Sequence, residues 1–285
     1  MPQCLQCGNC KRDDNNFCET LSLTNFFADM DDGTSRFTCK GQKVSHFFGT
    51  STFSEYTVVK ATMLAKIDSA APMEKACLVG CGFTTGFGSA MNSAEIRPGD
   101  SVAVFGAGCV GLSAMHGAQN AGAKEIFAID INPDKEKIAR EMGATGFVNP
   151  KDCPEGKPFA EWYIEKFGHV DRAIECIGNI ECMKNAVYIT KPGWGRTVIV
   201  GLGAPGKEFS INPLVFLERK TILGSCYGDY RVQDAPKLVE KIQTGAINID
   251  PLITHRFDLK DVNQAVELLK QGKCIRSVIS LARHE

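Results

Sequence analysis

A chain of 285 residues is longer than one hydrophobic core usually spans, so we expect two domains. Its 32 basic and 33 acidic residues give a formal net charge of −1 without long runs of one sign, which argues against a nucleic-acid or membrane-surface partner. The sequence has neither a secretory leader nor the about 18 consecutive apolar residues of a membrane span. It therefore predicts a cytoplasmic protein that acts on a small molecule.

Four of the 13 cysteines fall within the first 18 residues, in the pattern C-x2-C-x2-C-x7-C. Four thiolates satisfy tetrahedral zinc and leave no open coordination position, which is typical of a structural site. An iron–sulfur cluster usually has a shorter fourth spacing, and free thiols are usually buried among apolar residues, whereas this segment is polar. These two alternatives stay open, but zinc is the favoured occupant of a site formed by Cys4, Cys7, Cys10 and Cys18.

The first 60 residues are polar and rich in turn-forming residues, with short apolar pieces at Phe47-Phe48 and Tyr56-Thr57-Val58-Val59. This composition predicts irregular structure and short strands. Because so polar a segment buries little apolar surface, we expect metal binding to supply much of its ordering free energy.

From Ser101 onward, short apolar runs alternate with helix-like stretches. The alternation predicts a parallel sheet of about six strands with crossover helices. Predicted strands cover 102–105, 125–129, 147–148, 170–176, 197–200 and 221–223, and predicted helices cover 110–121, 133–142 and 180–190. The last sixty residues predict a return to the first domain, with a helix ending at 244–245, an apolar run at 251–253, a helix at 261–271 and a strand at 277–280.

A glycine-rich turn, Gly106-Ala107-Gly108-Cys109-Val110-Gly111, follows the first of these strands and opens an apolar helix. In a dinucleotide-binding turn the first glycine makes the tight turn, the second lets the backbone approach a pyrophosphate, and the third lets the helix pack on the strand. The motif alone also fits an ordinary turn of an α/β protein. Asp130 ends the next strand, 19 residues beyond Gly111, where a carboxylate binds the ribose hydroxyls and repels a 2′-phosphate. The pair therefore favours NAD over NADP.

Three longer runs accompany these motifs: DGTSRFTCKG at 32–41, GTSTFSEYTVV at 49–59 and GCGFTTG at 80–86. With them, the sequence resembles the animal-type zinc-containing medium-chain alcohol dehydrogenases over essentially its whole length. The resemblance implies an α/β fold, with a doubly wound Rossmann sheet beside a GroES-like, mostly β catalytic domain that carries the zinc lobe. It implies that residues 1–82 belong to the catalytic domain, 83–226 to the Rossmann domain, and 227–285 to the return into the catalytic domain.

The resemblance also implies site residues. In the family, two cysteines and a histidine hold a catalytic zinc, and Cys81 matches the second cysteine. The other two ligands precede the four-cysteine lobe in the family, so we expect about ninety family residues to be missing here, and none of the five histidines lies in a ligand-like motif. By position, Thr85 and Val110 line the nicotinamide, Asp130 and Lys135 bind the adenosine ribose, and Arg276 binds the pyrophosphate.

The implied reaction is the NAD-linked, zinc-dependent oxidation of an alcohol to an aldehyde or ketone. Two runs, Glu175-Cys176-Ile177-Gly178-Asn179 and Gly193-Trp194-Gly195, resemble the glutathione-dependent formaldehyde dehydrogenase branch, class III. That branch has an arginine where this chain has Ser22, so an anionic glutathione substrate would lose a bidentate partner. S-(hydroxymethyl)glutathione oxidation and a non-catalytic NAD-binding role are therefore alternatives.

Two further expectations concern catalytic completeness and the oligomeric state. Because Cys81 is the single catalytic-zinc ligand that the resemblance assigns to it, we expect this chain to be catalytically incomplete. Relatives pair their sheets through the last Rossmann strand, and an unpaired edge strand favours association, so residues 220–227 predict a homodimer.

Overall fold

The computed structural model describes residues 3–20, 34–47 and 50–281, and all structural statements refer to these residues. They form two compact units. One comprises the described residues of Met1–Lys75, Arg231–Ile247 and Ile253–Glu285, and the other comprises Ala76–Tyr230 and Asn248–Leu252. Among the described helices, none combines the length and the apolar character needed to cross a bilayer. The domain boundaries expected after residues 82 and 226 stay predictions.

The amino-terminal part of the first unit has little regular structure. A hairpin pairs β1 (Phe37–Cys39) with β2 (Gln42–Val44) in antiparallel register. The apolar piece at 56–59 forms no strand, and Tyr56 and Val58 are 88% and 83% exposed. Of the other apolar piece, Phe48 lies outside the described residues. The hairpin is thus the short strand pair of this region.

Two helices and a π-helical turn precede the sheet of the second unit: α1 (Met73–Val79), α2 (Gly82–Gly88) and Ser89–Ser93. The strands of that sheet are β3 (Ser101–Phe105), β4 (Glu125–Ile129), β5 (Gly146–Val148), β6 (Arg172–Glu175), β7 (Arg196–Ile199) and β8 (Thr221–Gly224). They are parallel, in the order β5-β4-β3-β6-β7-β8. The predicted Rossmann-type sheet is therefore confirmed. Its winding reverses between β3 and β6, the point at which such sheets bind ligands.

Helices connect these strands: α3 (Cys109–Asn120), α4 (Glu136–Glu141), α5 (Phe159–Phe167), α6 (Ile180–Tyr188) and α7 (Leu214–Leu217). Asn132, Asn149 and Asn179 begin helical segments, since each side-chain oxygen accepts a backbone N–H two residues further on. The predicted helices at 110–121, 133–142 and 180–190 correspond to α3, to a 3₁₀ turn followed by α4, and to α6. The sequence analysis missed α5 and the short helix α7.

Helix α5 covers the sheet with aromatic side chains. The Tyr163 ring meets Phe127 edge-on, with centroids 6.0 Å apart, and lies 5.1 Å from the Phe167 ring. Tyr163 is fully buried, and its hydroxyl has no hydrogen-bond partner among the described residues. Burial of an unpaired hydroxyl is unfavourable, so this aromatic cluster contains a local defect.

We expect Tyr163→Phe to raise the free energy of unfolding by about 1 kcal/mol, because the change removes an unpaired polar group and keeps the ring. Urea denaturation measures it. Tyr188→Phe is the matched control: the Tyr188 hydroxyl accepts a hydrogen bond from the Asn212 amide, so its removal should lower stability instead. A Tyr163→Phe protein less stable than wild type would contradict the assignment.

Directly before β6, at the amino end of that strand, the carboxylate of Asp171 joins β3 to the segment before β7. One oxygen accepts hydrogen bonds from the Ser101 amide and hydroxyl, and the other from Lys191 Nζ at 2.9 Å and Trp194 Nε1 at 2.7 Å. Burial alone would raise the pKa of Asp171, but these hydrogen bonds outweigh it and hold the pKa well below its usual range.

Asp171→Asn should therefore lower the free energy of unfolding at pH 7 by about 2 kcal/mol, because it leaves Lys191 without its counter-ion. A depressed carboxylate pKa stabilises the fold above the unfolded-state value, and the contribution is lost as pH falls toward the folded-state value. The stability difference between wild type and Asp171→Asn should accordingly shrink from pH 6 to pH 3. Asp152→Asn, at an exposed position, is the control. A difference independent of pH would show that the charge of Asp171 contributes nothing.

The carboxyl-terminal segment adds α8 (Ala235–Gln243), β9 (Ile253–Asp258), α9 (Val262–Lys270) and β10 (Arg276–Ser280). These elements lie in the same compact unit as the amino-terminal residues, and β9 pairs with β10 in parallel. The predicted helices and the strand at 277–280 match these elements. The apolar run at 251–253 is mostly a 3₁₀ turn, Asp250–Leu252, that leads into β9.

Candidate cofactor and metal sites

The four amino-terminal cysteines meet at one point of the first unit. The sulfurs of Cys4, Cys7, Cys10 and Cys18 all lie within 4.8 Å of one another, with Cys4–Cys10 and Cys7–Cys18 sulfur distances of 3.9 Å. Zinc–sulfur bonds of about 2.3 Å in a tetrahedron put neighbouring sulfurs about 3.8 Å apart. The donor set and its spacing therefore fit a single zinc ion.

Backbone amides point at these sulfurs. The Cys7 amide donates to Cys4 Sγ at 3.3 Å, and the Cys10 amide donates to Cys7 Sγ at 3.4 Å. Hydrogen bonds from the backbone of Gln6 and Cys7 lower the pKa of Cys4 to about 6, whereas burial raises the pKa of Cys10 to about 12. The lobe thus stabilises the thiolate of Cys4 and desolvates the thiol of Cys10. A bound cation would stabilise the thiolate form of both residues.

The lobe is also held by the returning chain of its own unit. Arg231 donates two hydrogen bonds, from Nε at 3.2 Å and from Nη2 at 3.0 Å, to the carbonyl oxygen of Asn15. Gln3 is fully buried and donates to the carbonyl oxygen of Asn16. The sequence analysis did not identify Arg231, because an arginine 216 residues away from its partner has no local signature.

The glycine-rich turn lies at the carboxyl end of β3. Gly106 has a φ of +93°, and a Cβ on Gly111 would lie 1.7 Å from the carbonyl oxygen of Gly106, so neither position accepts a side chain without rearrangement. Gly108 is different: it is exposed, and a Cβ there would meet open space. It directly precedes α3, whose first amides lack partners within the helix. The turn therefore places the start of a helix beside an accessible backbone, which suits a phosphate group.

Asp130 connects this turn to the neighbouring strand. Its carboxylate accepts hydrogen bonds from the Ala107 amide at 2.7 Å and from the Asn132 amide at 2.9 Å. The side chain is half-buried, with further acceptor positions on both oxygens. The carboxylate is thus held beside the phosphate-binding turn, where a ribose hydroxyl can reach it.

The other residues assigned from the resemblance occupy different elements. Thr85 lies on α2 and Val110 on α3, and both are half-buried. The two helices are in close contact, because a Cβ on Gly86 would lie 1.9 Å from the Val110 carbonyl oxygen. Lys135 is half-buried at the end of the 3₁₀ turn before α4. Arg276 begins β10 in the first unit, and its pyrophosphate role stays a prediction.

Cys81 is exposed at the N-cap position of α2. Among residues 3–20, 34–47 and 50–281, the four lobe cysteines form the one group of three or more His, Cys, Asp or Glu side chains close enough to share an ion. Cys81 therefore contributes a single sulfur here, and its catalytic role stays a prediction.

The sequence analysis missed the apolar part of this site. A cavity of about 270 Å³ opens at the carboxyl edge of the sheet, lined by residues that include Phe105, Pro150 and Cys182. Nearby in the chain, Ile131 directly follows Asp130, Ile177 follows β6, and these side chains are 60% and 50% exposed. Apolar residues two positions after the carboxyl ends of parallel strands were the available signal.

Comparisons with known proteins agree with this geometry. The zinc-binding dehydrogenase family matches residues 109–244. The chain is 43% identical over 281 residues to alcohol dehydrogenase class-3 of Drosophila melanogaster, which covers 98% of this chain and 74% of that protein. A solved alcohol dehydrogenase zinc-binding domain protein from Burkholderia ambifaria is 29% identical with a TM-score of 0.86, over 99% of this chain and 76% of the other. Benzyl alcohol dehydrogenase from Acinetobacter calcoaceticus is 28% identical, also with a TM-score of 0.86, over 98% and 75%.

Proposed function

The chain belongs to the zinc-binding alcohol dehydrogenase family, and we propose that it is an NAD-linked, zinc-dependent oxidoreductase that interconverts alcohols with aldehydes or ketones. One observation supports NAD in particular: the Asp130 carboxylate is held by the Ala107 amide, inside the glycine-rich turn. A carboxylate at this point binds the adenosine ribose of NAD and repels the 2′-phosphate of NADP.

Residues on three strand ends would hold the cofactor. The backbone at Gly108 and the start of α3 would lie against the pyrophosphate, and Asp130 with Lys135 would bind the adenosine ribose. The cavity lined by residues that include Phe105, Pro150 and Cys182 has a size and a mostly apolar lining that suit the adenine ring. Thr85 and Val110 would line the nicotinamide.

Zinc would occupy two positions. The four-cysteine lobe would hold a structural ion, and Cys81 would be one ligand of a catalytic ion. When bound, a catalytic zinc would supply a Lewis acid for the alcohol oxygen, and NAD would supply the hydride acceptor. A catalytic zinc needs about three protein ligands, so Cys81 requires partners beyond those that the resemblance assigns within this chain.

The test measures alcohol oxidation by the chain alone and by the chain joined to the first ninety residues of a relative. We expect NAD binding by both forms and rapid turnover by the joined form, abolished by Cys81→Ser and preserved in Cys77→Ser, an exposed control four residues away. Turnover by the chain alone, abolished by Cys81→Ser, would show that other residues complete the site. NAD binding without turnover in either form would favour a non-catalytic role, and absence of both would refute the proposal.

A second candidate is the class III reaction, the oxidation of S-(hydroxymethyl)glutathione. The 43% identity to a class-3 alcohol dehydrogenase favours it. Ser22 stands where that branch has its arginine, and this position lies outside the described residues. The ratio of kcat/KM for S-(hydroxymethyl)glutathione to that for octanol, measured for wild type and Ser22→Arg, decides between the substrates. A ratio below one that rises in Ser22→Arg would assign the chain to simple alcohols.

We also propose that the protein is a homodimer that pairs through β8. This strand ends the sheet, so its outer edge is unpaired among the described strands. The preceding helix α7 exposes Leu214, Phe216 and Leu217 at 59%, 58% and 79%. Sedimentation should show two chains, and Phe216→Asp with Leu217→Asp should give monomers, whereas Leu202→Asp, at an equally exposed site elsewhere, should not. A wild-type monomer at micromolar concentration would contradict this proposal.

A further inference from the structure

A buried carboxyl group lies at the carboxyl end of the parallel strands, close to the glycine-rich turn. Glu175 is the last residue of β6 and is fully buried. Its Oε1 accepts three backbone hydrogen bonds, from Ile177 at 3.0 Å, Gly178 at 2.8 Å and Asn179 at 3.4 Å. The side chain therefore determines the path of the chain after β6, as a cap organises the amides of a helix start.

The same side chain reaches a second loop, the one that follows β7. Its Oε2 is buried without a hydrogen-bond partner among the described residues, and a Cβ on Gly201 would lie 2.5 Å from this atom. The main-chain oxygen of Glu175 accepts hydrogen bonds from the amides of Val200 and Gly201. The two loops also touch backbone to backbone, since a Cβ on Gly178 would lie 2.2 Å from the Leu202 carbonyl oxygen. Glu175 thus holds two adjacent strand ends together.

The loop that Glu175 organises borders the glycine-rich turn. The Cys176 amide donates to the carbonyl oxygen of Phe105, the last residue of β3. A Cβ on Gly106 would lie 2.7 Å from Cγ1 of Ile177, so this side chain lies against the first residue of the turn. β3 and β6 are neighbours at the point where the winding reverses. A shift of Ile177 would therefore alter the glycine-rich turn as well as the loop that contains Ile177.

A buried carboxyl group needs a reason to be there. Burial raises the pKa of Glu175 despite the amides that lower it, and none of the ion pairs among the described residues includes it. An apolar side chain would avoid this desolvation, but it would leave three amides without an acceptor. The carboxyl group therefore fits a requirement to fix the conformation of residues 177–179 better than a requirement for fold stability alone.

We propose that Glu175 is a positioning residue for the dinucleotide: through the amides of residues 177–179 it holds Ile177, and with it the loop after β7, in the arrangement that accepts the cofactor. This inference rests on the proposed NAD-linked function. It assigns Glu175 no contact with the reacting atoms.

The experiment measures the dissociation constant for NAD, together with amide hydrogen exchange, in Glu175→Ala, Glu175→Gln and wild type. Glu175→Ala removes the acceptor, so we expect NAD affinity to fall at least about tenfold and exchange at residues 177–179 to accelerate. Exchange within β4 should not change. Glu175→Gln keeps an oxygen acceptor of the same shape, so it should restore affinity to within about threefold of wild type.

Glu181→Ala is the matched control, because Glu181 is a nearby glutamate on α6 that is exposed and paired with Lys184. Its NAD affinity should equal that of wild type. If Glu175→Ala does not fold, Glu175→Asp, which shortens the side chain, should show the same loss. Wild-type affinity in a folded Glu175→Ala protein, or an equal loss in Glu175→Gln, would overturn the positioning role. A wild-type chain that binds no NAD would instead refute the proposed function.

Discussion

Replacing Cys7 and Cys10 together with serine should abolish zinc binding by the amino-terminal lobe. Wild type purified without chelator should contain about one tightly held zinc ion per chain, since four sulfurs within 4.8 Å match a closed tetrahedral site. A hydroxyl does not replace a thiolate as a zinc ligand at neutral pH, and two ligands are too few. Because the lobe buries little apolar surface, loss of the ion should also disorder it.

Atomic emission analysis counts the metal, and proteolysis near Lys11 and Arg12 reports on order in the lobe. A double variant of Cys39 and Cys153 removes the same number of thiols, one exposed and one half-buried, and should retain zinc. If chelation left the lobe as resistant to protease as before, the metal would not be its source of order. About two or four iron atoms per chain in place of zinc would support the iron–sulfur cluster alternative.

Replacing Asp130 with serine should reverse the preference between the two nicotinamide cofactors. A carboxylate hydrogen-bonded to ribose contributes about 1.5–3 kcal/mol, so NAD affinity should fall about tenfold to hundredfold. NADP affinity should fall much less or rise, because the same change removes the repulsion of the 2′-phosphate. The ratio of the two dissociation constants is the diagnostic quantity, since loss of the hydrogen bonds from Ala107 and Asn132 would loosen the turn for both cofactors.

Asp134→Ser is the matched control, because Asp134 is an exposed acidic residue of the following 3₁₀ turn. It should alter neither dissociation constant by more than about twofold. Parallel losses of NAD and NADP affinity in Asp130→Ser would mean that Asp130 acts only through the turn, and the choice of cofactor would then depend on another group.

These two experiments are independent of each other. The cysteines of the lobe and Asp130 belong to different compact units, so each change should leave the other property intact. Zinc retention by Asp130→Ser, together with NAD binding by the Cys7 and Cys10 variant, would show that the metal lobe and the nucleotide site fold and function separately.

Local spacing was sufficient for the features whose residues are close in the chain. Short apolar runs that alternate with helix-like stretches identified the sheet, because strands buried on both faces carry largely apolar sequence, as in β3. The glycine pattern of residues 106–111 needs a particular φ and close approaches within one turn, and these are properties of six consecutive residues. Helix α5 was missed although its aromatic residues have helical spacing. The surface that those residues cover is a property of the tertiary structure and has no local signal.

Only the tertiary structure decided which distant groups meet. Asp130 and the Ala107 amide are 23 residues apart, and Arg231 and Asn15 are 216 apart. The adenine-sized cavity combines the end of β3 and residues of α6 with the segment after β5. In the sequence Glu175 is one residue of a run that resembles the family, and the role that we propose for it rests on its burial and on its closeness to Gly201, which follows another strand. Such contacts depend on how strand ends from separate parts of the chain pack together. No periodicity or residue spacing in the sequence indicates which of these distant ends meet.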